Sequence, residues 1–195
     1  MAAGERDHPE VARRRAQWAK YQGRVEAERL VFIDDTWTRT DMTPLRGWAP
    51  RGHRLHTKVP HGRWKTMTFL AALRHDRIDA PWFIEGPIDG VSFRTYVEKV
   101  LLPVLRPGNI VVLDNLGTGA KQFTTSSVRS APNCTSCPIL ADLNPIAQAF
   151  AKLKHLLRKA AARTVDGVCA AIGQALDAFT PEQYANYLKN SGYGI

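Results

Sequence analysis

The run of four large apolar residues at 110–113 constrains this chain more than any other feature. It follows a Pro107-Gly108 turn, contains three β-branched side chains and ends on Asp114. Such runs are typical of strands buried on both faces of a sheet. Residues 30–33 repeat the pattern and end on Asp34. If the two strands are parallel neighbours, both carboxylates lie at one end of the sheet, where adjacent strands are about 5 Å apart.

Two carboxylates that close repel each other. Either one of them takes up a proton, or a divalent cation with oxygen ligands bridges them. The second arrangement is the one that enzymes use to cleave phosphodiesters. Strand ends are also where the chemistry of open α/β sheets is concentrated. The pair Asp34 and Asp114 is therefore the candidate catalytic and metal-binding site.

Length and composition predict one globular domain. The chain has 195 residues, of which 44% are hydrophobic, and no apolar stretch is long enough to span a membrane. The first 29 residues are polar and charged, so we expect no signal peptide, no membrane partner and a cytoplasmic protein. A net charge of +9 and a pI near 9.8 are consistent with a polyanionic partner and equally with a solvated basic surface.

The remaining pattern predicts an α/β fold with mixed strand directions. Strands are expected at 64–73 and 80–85 as an antiparallel hairpin, and another at 53–59. Ser92 is the expected N-cap of a helix that provides the crossover to the central strand. A short basic helix at 8–22 precedes the first strand.

A strong amphipathic helix is expected after Asn144-Pro145, with Asn144 as its N-cap and Pro145 as its first residue. Its apolar stripe should pack on the sheet, and Thr164 and Thr180 should begin two further helices. Four cations on the first of these helices are candidates for contact with a DNA backbone: Lys152, Lys154, Arg158 and Lys159.

Two other metal hypotheses are weaker. Cys134 and Cys137 have the spacing of half a zinc site, but no second half follows, and the three cysteines of the chain do not indicate a disulfide framework. His53, His56 and His61 cannot all lie on one strand face, so a polar surface is the better interpretation.

The order of motifs resembles the bacterial insertion-sequence transposases of the mariner superfamily, which are DDE superfamily endonucleases. The matching stretches are VFIDDTWT (31–38), PLRGWAPRG (44–52), WKTMTFLAAL (64–73), VVLDNLG (111–117) and DLNPIAQAFAKLK (142–154). The resemblance implies a ribonuclease-H-like fold, in which a mixed sheet is flanked by helices.

The resemblance also implies a site. The first two acids of the family fall on Asp34 and Asp114, and a third, usually Glu, falls three residues after Asn in an N-P-I-E pattern. Together they hold two Mg²⁺ ions, for which Mn²⁺ can substitute, during attack on phosphorus. This chain has Ala147 at the third position, and neither Gln148 nor Asp142 is a clean replacement.

The segment 118–141 departs most from the family, which has a helix and a strand there. The sequence leaves open whether one strand is missing and whether the segment is ordered. The stretches on both sides of this segment match the family well. This contrast suggests compensating frameshifts in a decaying gene copy, or deliberate alteration. The expected organisation is a basic helical linker at 1–29 and a catalytic domain at 30–195, without the upstream DNA-binding helices of the family.

The resulting hypothesis is a DNA transposase catalytic domain by descent, which cleaves and transfers strands of double-stranded DNA at element ends, and whose present copy is inactive. The alternative is a non-catalytic, basic, DNA-binding or multimer-interfering remnant. A nucleotide-binding module is disfavoured because no Gly-rich loop follows a strand. The resemblance further implies terminal-repeat and target DNA as partners, a homodimer, and a location at the bacterial nucleoid.

Overall fold

The computed structural model describes residues 22–56, 60–113 and 143–194, the backbone of 135–138, and five positions of the N-terminal segment (9, 13, 16, 18 and 20). The strands are β1 (Leu30–Arg39), β2 (Thr66–Leu73), β3 (Ile78–Glu85), β4 (Ile110–Leu113) and β5 (Thr135–Pro138). The helices are α1 (Gly90–Tyr96), which continues through a π turn (Val97–Leu101) and a 3-10 turn (Leu102–Val104), then α2 (Ile146–Ala160), α3 (Val165–Asp177) and α4 (Pro181–Asn190).

The strands form one mixed sheet in the order β3-β2-β1-β4-β5. β1 pairs antiparallel with β2 and parallel with β4, and β5 is parallel to β4. The predicted hairpin is present, because β2 and β3 are antiparallel neighbours. The parallel pairing of β1 and β4, the main prediction from their sequences, is confirmed.

Alternate residues of β1 contribute to two separate cores, as expected for a strand covered on both faces. Leu30 and Phe32 pack with the apolar stripe of α2 and with α3 and α4. Val31 and Ile33 pack on the opposite face with α1 and the turns that follow it. β1 is therefore held from both sides. Its parallel pairing with β4 stops at Ile33 and Leu113, but β1 itself continues through Asp34 to Arg39 and does not end at Asp34 as the sequence predicted.

Helix starts follow local capping chemistry. Thr164 caps α3 by accepting a hydrogen bond from the Gly167 N–H, and Thr180 forms a capping box with Gln183 at the start of α4, as predicted. The prediction for α1 was displaced by three residues. Its N-cap is Asp89, whose carboxylate accepts from the Ser92 N–H at 2.7 Å, and that bond lowers the pKa of Asp89.

Two further predictions are corrected by the backbone. Residues 53–56 form no strand, and 57–59 lie outside the described residues, so the strand expected at 53–59 is not found in the described part of the loop between β1 and β2. A strand is not missing from 118–141, because β5 lies within it and pairs with β4. Short polar strands such as β5 carry no apolar alternation, which is the signal that would have predicted it.

The described positions of the N-terminal segment are helical. Trp18 packs edge-on against Tyr193 and donates to its hydroxyl, and the Gln22 side chain donates to the Ser191 carbonyl. This segment therefore contacts the chain just after α4. Among the described residues, no helix has the length and apolar character needed to cross a membrane.

Candidate metal site at the carboxyl ends of β1 and β4

The site lies where β1 and β4 run side by side. Ile33 pairs with Leu113, so the residues that immediately precede the two predicted acids are partners in the parallel register. Asp34 continues β1 beyond this point and pairs on its other side with Ala71 of β2. Asp114 lies outside the described residues.

Asp34 is half-buried and is held by neighbours on two elements. Its Oδ1 accepts a hydrogen bond from the Asp35 N–H at 2.8 Å. Its Oδ2 faces the Asn144 side chain, whose Nδ2 lies at 3.5 Å, the limit of a hydrogen bond. One carboxylate oxygen thus accepts a hydrogen bond from the backbone, and the other faces the Asn144 carboxamide.

Asn144 was predicted to cap the helix that follows it, and this is wrong. The N-cap of α2 is Pro145, no side-chain capping bond is made there, and the helix begins at Ile146. Asn144 is instead buried, with 3% of its surface exposed, and its side chain reaches across to Asp34. Its Oδ1 has no hydrogen-bond partner in the described part of the chain.

Ala147 is exposed in the first turn of α2. The Ala147 N–H bonds to the Asn144 carbonyl at 3.3 Å, which ties this position to the residue that faces Asp34. Gln148 is committed elsewhere: its Nε2 donates to the Tyr187 carbonyl and to Ser191 Oγ, and its Oε1 accepts from Asn190. Gln148 therefore joins α2 to α4 and to the residue that follows α4.

The four basic residues predicted as DNA contacts are not equivalent. Lys152 donates to Gln183 Oε1 at 2.6 Å and to the Ala178 carbonyl, and its ammonium lies 4.1 Å from the centre of the Phe179 ring. These contacts hold Lys152 against Gln183 of α4 and the residues that precede α4. Lys159 is exposed and Arg158 is half-buried on the same helix.

Lys154 is the one of these four basic residues that has a described electrostatic interaction with Asp34. Its pKa is lowered, first by burial and then by the charge of Arg158, while Asp34 and Asp35 act in the opposite direction. Its ammonium lies 4.3 Å from the centre of the Trp37 ring. Lys154 therefore links the carboxylates of β1 to an exposed aromatic surface.

A cation–aromatic cluster beside the site was missed at the sequence level. The Arg39 guanidinium carbon lies 5.4 Å from the ring centres of both Trp37 and Trp64, and Lys154 contacts Trp37 as well. Trp37 and Trp64 are 48% and 54% exposed. The alternation of Trp37 and Arg39 along β1 was the available signal, because residues i and i+2 share one face of a strand.

The described residues supply only part of a metal site. No group of three His, Cys, Asp or Glu side chains able to hold an ion occurs within the described ranges. Asp34 and Asn144 do offer oxygen atoms, the ligand type that Mg²⁺ and Mn²⁺ prefer. The three histidines predicted as polar surface are exposed, and of the two cysteines in the half zinc motif Cys134 lies outside the described residues.

Comparison with known structures identifies the fold. The Mos1 mariner paired-end complex with Mg is 14% identical with a TM-score of 0.70, over 93% of this chain and 61% of that one. The Mos1 transposase paired-end complex with the left transposon end is 14% identical with a TM-score of 0.65, over 92% of this chain and 60% of that one. The Mos1 strand transfer complex is 16% identical with a TM-score of 0.63, over 93% of this chain and 55% of that one. The chain thus spans little more than half the length of these transposases.

No curated relative matches the sequence. The family model of the DDE superfamily endonucleases does match it, over residues 29–169, which is more than two thirds of the chain and includes β1 to β5, α2 and the start of α3. By fold and by this match, the chain belongs to the DDE superfamily endonucleases.

Proposed function

We propose that the chain is the catalytic domain of a DNA transposase by descent, built to cleave and transfer DNA strands at the ends of a mobile element with divalent metal ions. The observation that carries the proposal is the parallel pairing of β1 with β4, in which Ile33 and Leu113 are partners. Each is followed by an aspartate. Solved structures that are similar in fold include Mos1 complexes with the left transposon end, with Mn and with Mg.

The proposed metal ligands are Asp34 and Asp114. Bound Mg²⁺ or Mn²⁺ would lower the pKa of a water or hydroxyl nucleophile and stabilise charge on phosphorus. Asp34 suits the role because carboxylate oxygens are ligands that these ions prefer, and the Asp35 N–H fixes the orientation of its side chain. In the same scheme Lys154 and Arg158 hold the phosphate backbone against this rim.

We further propose that the present copy is inactive as a nuclease. Ala147 supplies a methyl group at the position where the family has its third acid, and Gln148 is fully engaged with α4. Loss of one carboxylate ligand lowers metal affinity and removes a fixed charge from the place where charge develops in the transition state. The same proposal includes Asp114 as the second metal ligand, a homodimer, and a location at the nucleoid.

The decisive experiment compares the native chain with Ala147→Glu on supercoiled plasmid DNA in Mg²⁺ and in Mn²⁺. We expect the native chain to produce no metal-dependent nicks and Ala147→Glu to produce them. Ala147→Gln is the matched control, since it has nearly the same size and no charge. Robust nicking by the native chain would show that the third acid has been wrongly assigned.

A second variant tests that any nicking belongs to this site. Asp34→Asn in the Ala147→Glu background keeps the shape of the side chain and removes its charge. We expect it to abolish the nicks that Ala147→Glu restores. Nicking that survives Asp34→Asn would place the chemistry elsewhere and contradict the proposal.

Ala147 also favours a second candidate function, a non-catalytic DNA-binding or multimer-interfering remnant. The net charge of +9 would still hold double-stranded DNA through its phosphates. If Ala147→Glu folds and binds DNA but never nicks it, this second function replaces the first.

The DNA interface is tested by the salt dependence of binding to a short duplex. Neutralising Lys154 and Arg158 together, as Lys154→Gln/Arg158→Gln, should reduce the slope of log K against log salt by roughly 2, since each phosphate contact contributes about 0.9. Lys99→Gln/Arg106→Gln removes two exposed cations near the opposite face and should leave the slope unchanged. Equal effects of the two pairs would contradict an interface at this rim.

A further inference from the structure

From the side chains that surround Asp34, we infer that the Asn144 carboxamide oxygen is a divalent-cation ligand of this chain, beside Asp34. The inference rests on the proposed metal-dependent function. It adds a ligand that is neither of the two aspartates and does not occupy position 147.

The first observation is an unpaired oxygen. Asn144 is almost completely buried, yet its Oδ1 has no hydrogen-bond partner in the described part of the chain. A buried carboxamide oxygen without a partner costs about 1–3 kcal/mol of folding free energy. Most buried polar groups avoid that cost. Because Oδ1 has no such bond to any described residue, none to them is lost when the carboxamide rotates.

The second observation is its position. Asn144 Nδ2 lies 3.5 Å from Asp34 Oδ2, so the carboxamide is directly beside the carboxylate. Rotation by about 180° about the last side-chain torsion exchanges the nitrogen and oxygen of a carboxamide. Oδ1 would then stand 3.5 Å from Asp34 Oδ2. An approach of about 0.5 Å brings the two oxygens to the spacing of about 3 Å that neighbouring ligands of one octahedral ion have at metal–oxygen distances of about 2.1 Å.

The two orientations serve two states of the site. Without a cation, the Asp34 carboxylate is negative, and the amide N–H is the correct group to face it. With a cation on Asp34, the same N–H would be repelled, and the oxygen becomes the favourable neighbour. The long distance of 3.5 Å indicates that the bond to be given up is weak.

Asn144 is also well placed to compensate for Ala147. Its carbonyl accepts from the Ala147 N–H, so the two positions belong to one turn at the start of α2. A carboxamide is neutral and therefore binds a cation more weakly than the absent carboxylate would. The expected native site has low affinity and is filled only at elevated metal concentration.

The test measures Mn²⁺ binding by calorimetry and by the loss of free-ion electron paramagnetic resonance signal, without DNA. In the Ala147→Glu background we expect Asn144→Ala to weaken Mn²⁺ binding about 10-fold, as removal of a supporting ligand typically does. Asn144→Asp should bind Mn²⁺ more tightly than its parent. Asn190→Ala removes an exposed carboxamide that contacts Gln148 and is the matched control, expected to have no effect.

A second readout follows the side chain itself. The Asn144 NH₂ signal in a ¹⁵N spectrum, identified by its loss in Asn144→Asp, should shift on titration with Mg²⁺ while the Asn190 signal does not. If Mn²⁺ binds the Ala147→Glu protein but neither Asn144 variant changes its affinity, the inference is overturned and the proposed function stands. If neither the native chain nor Ala147→Glu binds Mn²⁺, the metal-dependent function itself is overturned.

Discussion

Two buried asparagines stand at opposite ends of the sheet, and their surroundings differ. Asn109 immediately precedes β4, and its Oδ1 accepts from Arg74 Nη2 at 3.1 Å and from the Arg106 N–H at 2.9 Å. Asn144 immediately precedes Pro145 at the start of α2, and its Oδ1 accepts from no described residue. The side chains are chemically identical and are 6% and 3% exposed, so the difference lies in what the fold places around them.

The Asn109 end is a completed polar network. Arg74, which is 4% exposed, donates to Asp79 and to the Val104 carbonyl as well as to Asn109, and Arg77 also pairs with Asp79. Fully satisfied networks of this kind hold one structure rigidly. The Asn144 end is incomplete and lies at the carboxyl ends of the parallel strands. The cluster around Asn109 therefore stabilises the fold, whereas we propose that the group formed by Asn144 and Asp34 binds a cation.

The largest expected effect comes from breaking the completed network. Asp79→Ala removes the carboxylate that pairs with buried Arg74, and we expect it to lower the free energy of unfolding by about 3–5 kcal/mol, since a buried guanidinium is left uncompensated. Urea unfolding followed by circular dichroism measures this. Glu85→Ala, which breaks the exposed pair with Lys65, is the control and should cost no more than about 1 kcal/mol.

The two asparagines can be compared directly by the same substitution. Asn109→Ala should cost about 1–3 kcal/mol of unfolding free energy, because Arg74 and the Arg106 N–H lose their shared acceptor. Asn144→Ala removes one weak hydrogen bond and one unpaired oxygen, so it should cost less than about 1 kcal/mol in metal-free buffer. Equal losses in urea unfolding would mean that Asn144 is as structural as Asn109.

Added Mg²⁺ gives a further test of the role of Asn144. With millimolar Mg²⁺ we expect the Ala147→Glu protein to gain thermal stability, because a ligand that binds only the folded state stabilises it. Adding Asn144→Ala should reduce this gain in Tm, and adding Asn190→Ala should not. Scanning calorimetry with and without EDTA measures both. A full gain retained by Asn144→Ala would count against the ligand role.

The smallest effect at neutral pH is expected at a second buried group without a described hydrogen-bond partner, the hydroxyl of Tyr96. The Tyr96 hydroxyl is buried without a hydrogen-bond partner among the described residues, and burial, reinforced by the charge of Asp79, raises its pKa above the ordinary value of 10.0. Near pH 7 we expect Tyr96→Phe to leave the free energy of unfolding unchanged or to raise it by about 1 kcal/mol.

The pH dependence of Tyr96 has a defined sign. Below pH 10 the phenol is neutral in both states, so the preference of the fold for the neutral form has its full effect. Above pH 10 the unfolded chain releases the proton and the folded chain does not, and stability falls. Tyr96→Phe should therefore lose less stability than the native chain between pH 9 and about 11 in urea titrations. A steeper loss in the variant would contradict the raised pKa.

Much of the fold could be predicted because it depends on local periodicity. The apolar runs before Asp34 and Asp114 identified β1 and β4, and the stripe on α2 identified its buried face. Threonine caps were equally local signals. β5 escaped prediction because its four residues, Thr-Ser-Cys-Pro, contain no large apolar side chain and no alternation.

The sequence by itself determined that two apolar runs are each followed by an aspartate and that a basic amphipathic helix follows them. The family resemblance added the prediction that Ala147 stands at the position of the third acid. Those features depend only on residues that are close together in the sequence. Only the tertiary structure decided that Asn144 faces Asp34, 110 residues away in the chain, and that Lys152 donates a hydrogen bond to Gln183 of α4. The physical reason is that a side-chain hydrogen bond depends on which distant groups the packed sheet and helices bring within about 3 Å, and no local pattern contains that information.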